Sequence, residues 1–290
     1  MRKKEKFFFF GFGQSAKYFV KELIRSNKNF IFHATNTRKT STQYFCKKKF
    51  TSFKFKDKIF DKRIIEKLKG TDFILISIPP QRKTDIVLKK FKKSLEESGC
   101  RKIIYLSATS VYGNHHGKWV HEKSMLKGKT VYGVGRKLAE KAWINFRNKA
   151  NVDVNILRVS GIYSKEQNVL KKILSSKIYV KEKKYFSRIM IEDLAVIIKK
   201  FFYTTKKFLI LNASDDKPST NIEVANFAAK LLKIKRLRSK PLSEFKNKMI
   251  KEFYKDSKKV SNKNMKKELK VKLRYPTYKQ GLRNIFNNSF

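Results

Sequence analysis

The stretch Phe7-Phe8-Phe9-Phe10-Gly11-Phe12-Gly13-Gln14-Ser15-Ala16 decides how this chain is read. Its four phenylalanines make an apolar run of strand length. Beyond them Ala16, Phe19, Val20, Leu23 and Ile24 recur at i, i+3, i+4, i+7 and i+8, the spacing of one helix face. The glycines stand at the turn between strand and helix, which gives the pattern G-x-G-x-x-A the context it needs. There Gly11 permits a tight turn, Gly13 lets the backbone approach a pyrophosphate, and Ala16 is small enough for close helix packing. Gln14 and Ser15 open the helix, whose first N–H groups have no partner within it and suit an anion. A plain strand-to-helix turn is the competing reading, but it leaves the position of both glycines unexplained.

Outward from this turn, strands and helices alternate. Phe30 to Thr35 reads as a second strand, Phe53 to Phe55 as a weak third, Ile59 to Leu68 as a helix, and Asp72 to Ile78 as a fourth strand stopped by Pro79 and Pro80. A helix to about Ser98, a strand over Lys102 to Leu106, a helix over Val131 to Ala150 with Leu138, Ala142 and Phe146 on one side, and a strand over Val152 to Leu157 follow. Later units are shorter: a helix over Ile189 to Phe202, a strand over Phe208 to Asn212, and a helix over Asn221 to Leu232 with Thr220 as its cap. This order predicts an α/β fold, a doubly wound parallel Rossmann sheet with a smaller C-terminal substrate-binding region. The expected division is a dinucleotide-binding domain over 1–160 and a substrate-binding region over 161–290, with segments returning to the first sheet.

With 290 residues and 41% hydrophobic content, the chain can build a sizeable core. Its apolar windows are broken by Lys or Gly well short of the roughly 18 residues of a membrane span, so a soluble protein without a membrane partner is expected. Cys46 and Cys100 form neither a disulfide framework nor a zinc pattern, no metal is expected, and a reducing cytoplasm fits. The net charge of +48 invites a nucleic-acid reading. Yet of 71 basic residues 14 are Arg and 71 − 14 = 57 are Lys, spread over all regions, whereas phosphate and base recognition favour the Arg fork. A solvated Lys-rich surface is the preferred account, and the expected partner is a small-molecule substrate, not nucleic acid; a homodimer is left open.

Cofactor choice should be legible after the second strand, where an NAD protein usually carries a carboxylate for the ribose 2′-hydroxyl. The residues here are Thr35-Asn36-Thr37-Arg38-Lys39, and no Asp or Glu occurs between Glu22 and Asp57. Thr37 and Arg38 therefore point to a 2′-phosphate and to NADP over NAD. Ile78 and Pro79, where the fourth strand stops, are expected on the same cofactor edge.

Several separated segments carry a further likeness. They are the glycine motif, Leu106-Ser107-Ala108-Thr109-Ser110-Val111-Tyr112-Gly113, Tyr132-Gly133 with Leu138 and Glu140, Leu157-Arg158-Val159-Ser160-Gly161-Ile162-Tyr163, and Phe186-Ser187-Arg188 leading to Asp193. In these the chain resembles the extended short-chain dehydrogenase/reductase superfamily, in its NAD(P)-dependent epimerase/dehydratase branch. Tyr275-Pro276-Thr277-Tyr278 with Gly281-Leu282 looks like the ending of a small bacterial subgroup. The resemblance implies a catalytic set of Ser or Thr, Tyr and Lys, in which Tyr exchanges a proton with a substrate oxygen as hydride moves to or from the nicotinamide. Tyr132 takes the Tyr position, and the Lys position reads Arg136, still cationic but differently forked.

The hydroxyl position reads Ala108. Side chains alternate along a strand, so Ser107 and Thr109 should face away from it unless a twist at the strand end brings Thr109 or Ser110 round. Thr109 is the candidate retained. The resemblance also implies substrate contacts for Tyr112, Glu122 and Arg188, against plainer readings of Glu122 as a loop residue and Arg188 as a surface ion pair. His115, His116 and His121 lack a companion acid at metal-ligand spacing, and Asp193 is expected to cap a helix. Three functions compete: an NADP-dependent oxidoreductase or epimerase/dehydratase on a small polyhydroxy or nucleotide-linked substrate, an NADP-binding protein without turnover acting through a partner, and a basic nucleic-acid-binding protein on a Rossmann scaffold.

Overall fold

A computed structural model describes residues 4–81, 83–150, 152–176, 178–235 and 237–289. The phenylalanine run is the centre of strand β1 (Glu5–Phe10), and the glycine turn leads into helix α1 (Gln14–Arg25). Then come β2 (Phe30–Asn36), β3 (Ser41–Phe45), β4 (Lys48–Lys56), β5 (Ile59–Phe60), α2 (Arg63–Leu68), β6 (Phe73–Ile76), α3 (Ile86–Glu96), β7 (Lys102–Ala108) and α4 (Val131–Ala150). Strands Val154–Val159 and Ile210–Ala213 complete a nine-stranded sheet. Its order is Ile210–Ala213, Val154–Val159, β7, β6, β1, β2, β4, β3, with β5 paired to β4. β1 pairs parallel with both β2 and β6, and β6 parallel with β7, so the phenylalanine run is central.

Alternation along β1 shows why both faces of the sheet are covered. Phe7 meets Phe19 of α1 and Phe202 of helix Ile191–Tyr203, while Phe10, on the opposite face, meets Phe91 of α3. All four β1 phenylalanines are at most 1% exposed. A run buried on both faces has no polar alternation to show, as expected for an inner parallel strand.

The chain divides into two compact units, each made of three segments. The first comprises Met1–Ser107, Val134–Arg158 and Leu194–Ile210; the second comprises Ala108–Gly133, Val159–Asp193 and Leu211–Phe290. The second unit has its own core, with Leu170, Ile173, Met190, Val224, Tyr278 and Leu282 among its buried residues. Short parallel pairs join Gly161–Tyr163 to Arg188–Met190 and Trp119–Val120 to Lys259–Val260. Helix Asn221–Leu231 starts at the expected Thr220, in a capping box closed by Glu223.

Several local expectations are corrected. The weak third strand is the end of β4, which forms an antiparallel hairpin with β3. The helix expected from Ile59 starts at Arg63, because Ile59 and Phe60 pair back onto β4. Leu138 is 41% exposed, and the buried face of α4 carries Ala139 and Trp143 beside the expected Phe146. Asp193 does not cap its helix; its carboxylate accepts the backbone N–H groups of Arg274 (2.8 Å) and Tyr275 (2.9 Å).

Candidate active site

The glycine turn is held from three strands. Gly11 has φ +91°, the left-handed region, and a Cβ there would lie 2.8 Å from Ser77 Oγ and 3.1 Å from the Ile78 side chain. Its N–H donates to Thr35 Oγ1 at 2.9 Å, and the Ser77 hydroxyl lies 3.1 Å from the carbonyl oxygens of both Phe10 and Gly11. Phe12 is anchored by Phe9, Phe32, Phe45 and Phe50, with ring centroids 4.8–6.1 Å away. The β3–β4 hairpin thus supports the loop, which the sequence reading missed. Gly13 is the N-cap of α1, no side chain caps that helix, and the space a Cβ would enter at Gly13 is open. An open backbone at an uncapped helix start fits a pyrophosphate. Ala16 is wholly buried.

At the end of β2, Thr37 and Arg38 are exposed. The Arg38 N–H donates to Asn36 Oδ1 at 2.5 Å, and Asn36 Nδ2 donates to Ser52 Oγ at 2.6 Å, so the turn that presents Arg38 is fixed. Near this end of the sheet Asp61 accepts from Thr40 at 2.6 Å and pairs with Arg63 at 2.7 Å. Its bonds with Arg63 hold its carboxyl well below the usual range. Ile78 is half-buried against Gly11, and Pro79 is exposed.

Ser107 obeys strand alternation. Its hydroxyl donates to Glu140 at 2.6 Å, and Glu140 in turn receives Arg158 at 2.8 Å in a buried ion pair. That hydroxyl is committed to the core. After Ala108 the strand ends in a 3-10 turn, Thr109–Tyr112, so alternation no longer governs the residues that follow. Thr109 is half-buried in this turn, and Ser110 Oγ is buried without a hydrogen-bond partner. The Ser110 carbonyl would lie 2.6 Å and 2.7 Å from Cβ atoms at Gly128 and Gly133, so glycine at both positions lets the start of α4 pack on the turn. Tyr132, beside Gly133, is 58% exposed and so is not a buried packing residue. Arg136 follows one helical turn later. Its Nη1 donates to Tyr105 Oη (3.1 Å) and to the Leu106 carbonyl (2.5 Å).

The three expected substrate contacts fall differently. Tyr112 is 0% exposed and its hydroxyl donates to Asn212 at 2.7 Å. Glu122 accepts from the Asn212 N–H at 3.0 Å and from Asn264 at 2.7 Å. These two residues share one structural network. Arg188 is not a surface ion pair: its guanidinium donates to the Phe186 and Ser219 carbonyls, both at 3.0 Å, and to Asn221. Burial pulls its pKa down, opposed by the charge of nearby Asp215. Asp215 was not singled out in the sequence, where it is one of several polar residues in a loop. It is 1% exposed, its Oδ2 has no partner, and burial pushes its carboxyl up to about 8. His115 Nε2 lies 3.2 Å from the Met125 carbonyl, and among the described residues no group of His, Cys, Asp or Glu is placed to hold a metal.

A glycine turn at the C-terminal edge of a mostly parallel sheet, with helices on both faces, defines a Rossmann-like α/β fold. Residues 87–194 match the model of the NAD dependent epimerase/dehydratase family. Among solved structures, it is similar to a functionally unknown conserved protein from Silicibacter pomeroyi (24% identity, 98% of this chain and 99% of that one, TM-score 0.85). It is also similar to a UDP-N-acetylglucosamine 4-epimerase from Bacillus cereus (13%, 99% and 99%, 0.76) and to a dTDP-glucose 4,6-dehydratase from Bacillus anthracis in complex with NAD (16%, 98% and 96%, 0.78). At these identities the likeness shows a shared fold. No curated protein matches the chain, and no helix among the described residues is long and apolar enough to cross a membrane.

Proposed function

We propose that the chain is an NADP-dependent oxidoreductase or epimerase/dehydratase acting on a small polyhydroxy or nucleotide-linked substrate. The observation that carries this reading is the cradle, with open space over Gly13, an uncapped α1, and a β2 end that bears exposed Arg38. The backbone of Gly11 to Ala16 would hold the pyrophosphate, and Arg38 the 2′-phosphate, as a charge-assisted pair. The structural neighbour from Bacillus anthracis holds NAD, so the preference for NADP rests on the residues after β2. Nucleotide-linked substrates are suggested by the names of the two neighbouring enzymes.

The bound dinucleotide supplies the ring that takes up or returns hydride. Tyr132, exposed on the first turn of α4, gives or takes the proton at the substrate oxygen. Ala108 offers no second donor and Ser107 is committed to Glu140, which leaves Thr109 as the side chain to assist. A missing preorganised donor costs on the order of 10² to 10³ in rate, so slow turnover is expected if Thr109 does not reach. Arg188 contributes positive charge to an anionic substrate, its donors being engaged within the fold. The same features at Ala108 and Ser107 favour, as a second reading, an NADP-binding protein without turnover.

Replacing Tyr132 by Phe separates the two. The variant keeps the ring and loses only the hydroxyl. A screen of nucleotide-linked and free polyhydroxy substrates should find turnover in the wild type that Tyr132→Phe abolishes, with NADPH binding nearly unchanged. Full activity in Tyr132→Phe would remove this mechanism, and a wild type that binds NADPH but turns over none of the panel would favour the second reading.

A further inference from the structure

Register sets three strands level where β1 and β6 end, while β7 runs on to Ala108. Phe10 of β1 pairs with Ile76 of β6, and Ile76 pairs with Tyr105 of β7. The next residues, Gly11, Ser77 and Leu106, therefore stand level along the C-terminal edge of the sheet, where ligands of open α/β sheets bind. Gly11 and Ser77 build the cradle. Leu106 carries Arg136, whose single nitrogen Nη1 spends its two hydrogens on the Leu106 carbonyl and the Tyr105 hydroxyl. Among the described residues Arg136 makes no direct ion pair, although buried Asp85 feels its charge, and its Nη2 and Nε donors are not engaged by Tyr105 or Leu106.

Tyr105 is a costly residue to place here unless its hydroxyl is used. It is 0% exposed and sits on a support of its own: its ring stacks on Trp143 with centroids 5.8 Å apart, and Trp143 Nε1 donates to Asp85 at 3.1 Å. Burial pushes its ionisation far up, so the phenol stays protonated while its lone pairs accept from Arg136.

Resting on the dinucleotide reading above, we propose that Tyr105 is a positioning residue for the cofactor. Together with the Leu106 carbonyl it grips one edge of the Arg136 guanidinium and leaves the other edge of the fork available to the ribose hydroxyls of a dinucleotide at this sheet edge. The planar fork can bond on both edges at once, whereas a lysine ammonium is a point charge that must choose. Arg136 and Tyr105 then form a matched pair, and Lys at 136 would not restore function in this setting.

A double-mutant cycle on NADPH affinity tests this, with thermal unfolding measured alongside. Tyr105→Phe should weaken NADPH about fivefold when Arg136 is present and have no effect in an Arg136→Ala background, the signature of coupling between contacting groups. Arg136→Lys should also weaken binding, at an unchanged melting temperature. Equal effects of Tyr105→Phe in both backgrounds, or none in either, would overturn the proposal while leaving the dinucleotide reading intact. If Tyr105→Phe does not fold, Arg136→Lys decides, and wild-type affinity in that variant counts against the proposal. A wild type that binds neither NADPH nor NADH would overturn the dinucleotide reading and this inference with it.

Discussion

Asp215 shows how one buried group makes stability depend on pH. Its Oδ1 accepts the Lys217 N–H at 3.3 Å, its Oδ2 has no partner, and Arg188, Asp216 and Asp193 act on it electrostatically. With its pKa pushed up to about 8 by burial, the folded chain keeps this proton at pH values where the unfolded chain has lost it. The group therefore makes the protein less stable as pH rises from near its unfolded value of about 4 to about 8, and adds no further change above that. Asp215→Asn should raise stability at pH 8 by an amount on the order of a few kcal/mol and give almost no gain at pH 4, read from denaturant unfolding at both pH values. An equal effect at both would mean that Asp215 folds as an ionised group. Nothing in the sequence Ser214-Asp215-Asp216-Lys217 signals any of this, because the burial is supplied by segments distant in the chain.

Among the elements, the strand-turn-helix start was legible because its signals are local. The apolar run, the two glycines and the helical spacing lie within twenty residues, and Gly11 needs its positive φ whatever packs later. Gly11→Ala should destabilise the first unit by about 1–3 kcal/mol through strain at φ +91° and a clash with Ser77, and it should weaken dinucleotide binding. Thermal unfolding checks the first effect, and a variant as stable as the wild type would show that the turn is not constrained as described. The β3–β4 hairpin was not legible. Four of the five β3 residues are exposed, so the strand has no hydrophobic alternation, and its partner is fixed by ring packing around Phe12. The one-residue error on α4 has a similar origin. Its buried face includes Glu140, acceptable there only because Arg158 arrives from the next strand to pair with it. In the candidate site Tyr132 and Arg136 were placed by the family resemblance, whereas the engagement of Arg136 by Tyr105 and the burial of Tyr112 depend on tertiary contacts.

At the scale of the whole molecule, the excess of 71 basic over 23 acidic residues has to be set against where the carboxylates go. Glu22 is taken by Arg25 and Lys199, Glu140 by Arg158, Asp61 by Arg63 and Asp153 by Lys102. A field of this sign attracts any polyanion, and salt screens it. Shape-specific recognition at the cradle should outlast that screening, which makes the dinucleotide distinguishable from nonspecific partners. Whether this cradle holds NADP is decided by an equilibrium titration of the intact protein with NADPH, NADH and duplex DNA at physiological salt, repeated with Arg38→Ala. The predicted result is NADPH bound about tenfold more tightly than NADH, DNA bound weakly, and a gap that Arg38→Ala narrows by weakening NADPH alone. Equal affinity for the two dinucleotides with equal loss in Arg38→Ala, or binding of DNA in preference to both, would contradict it.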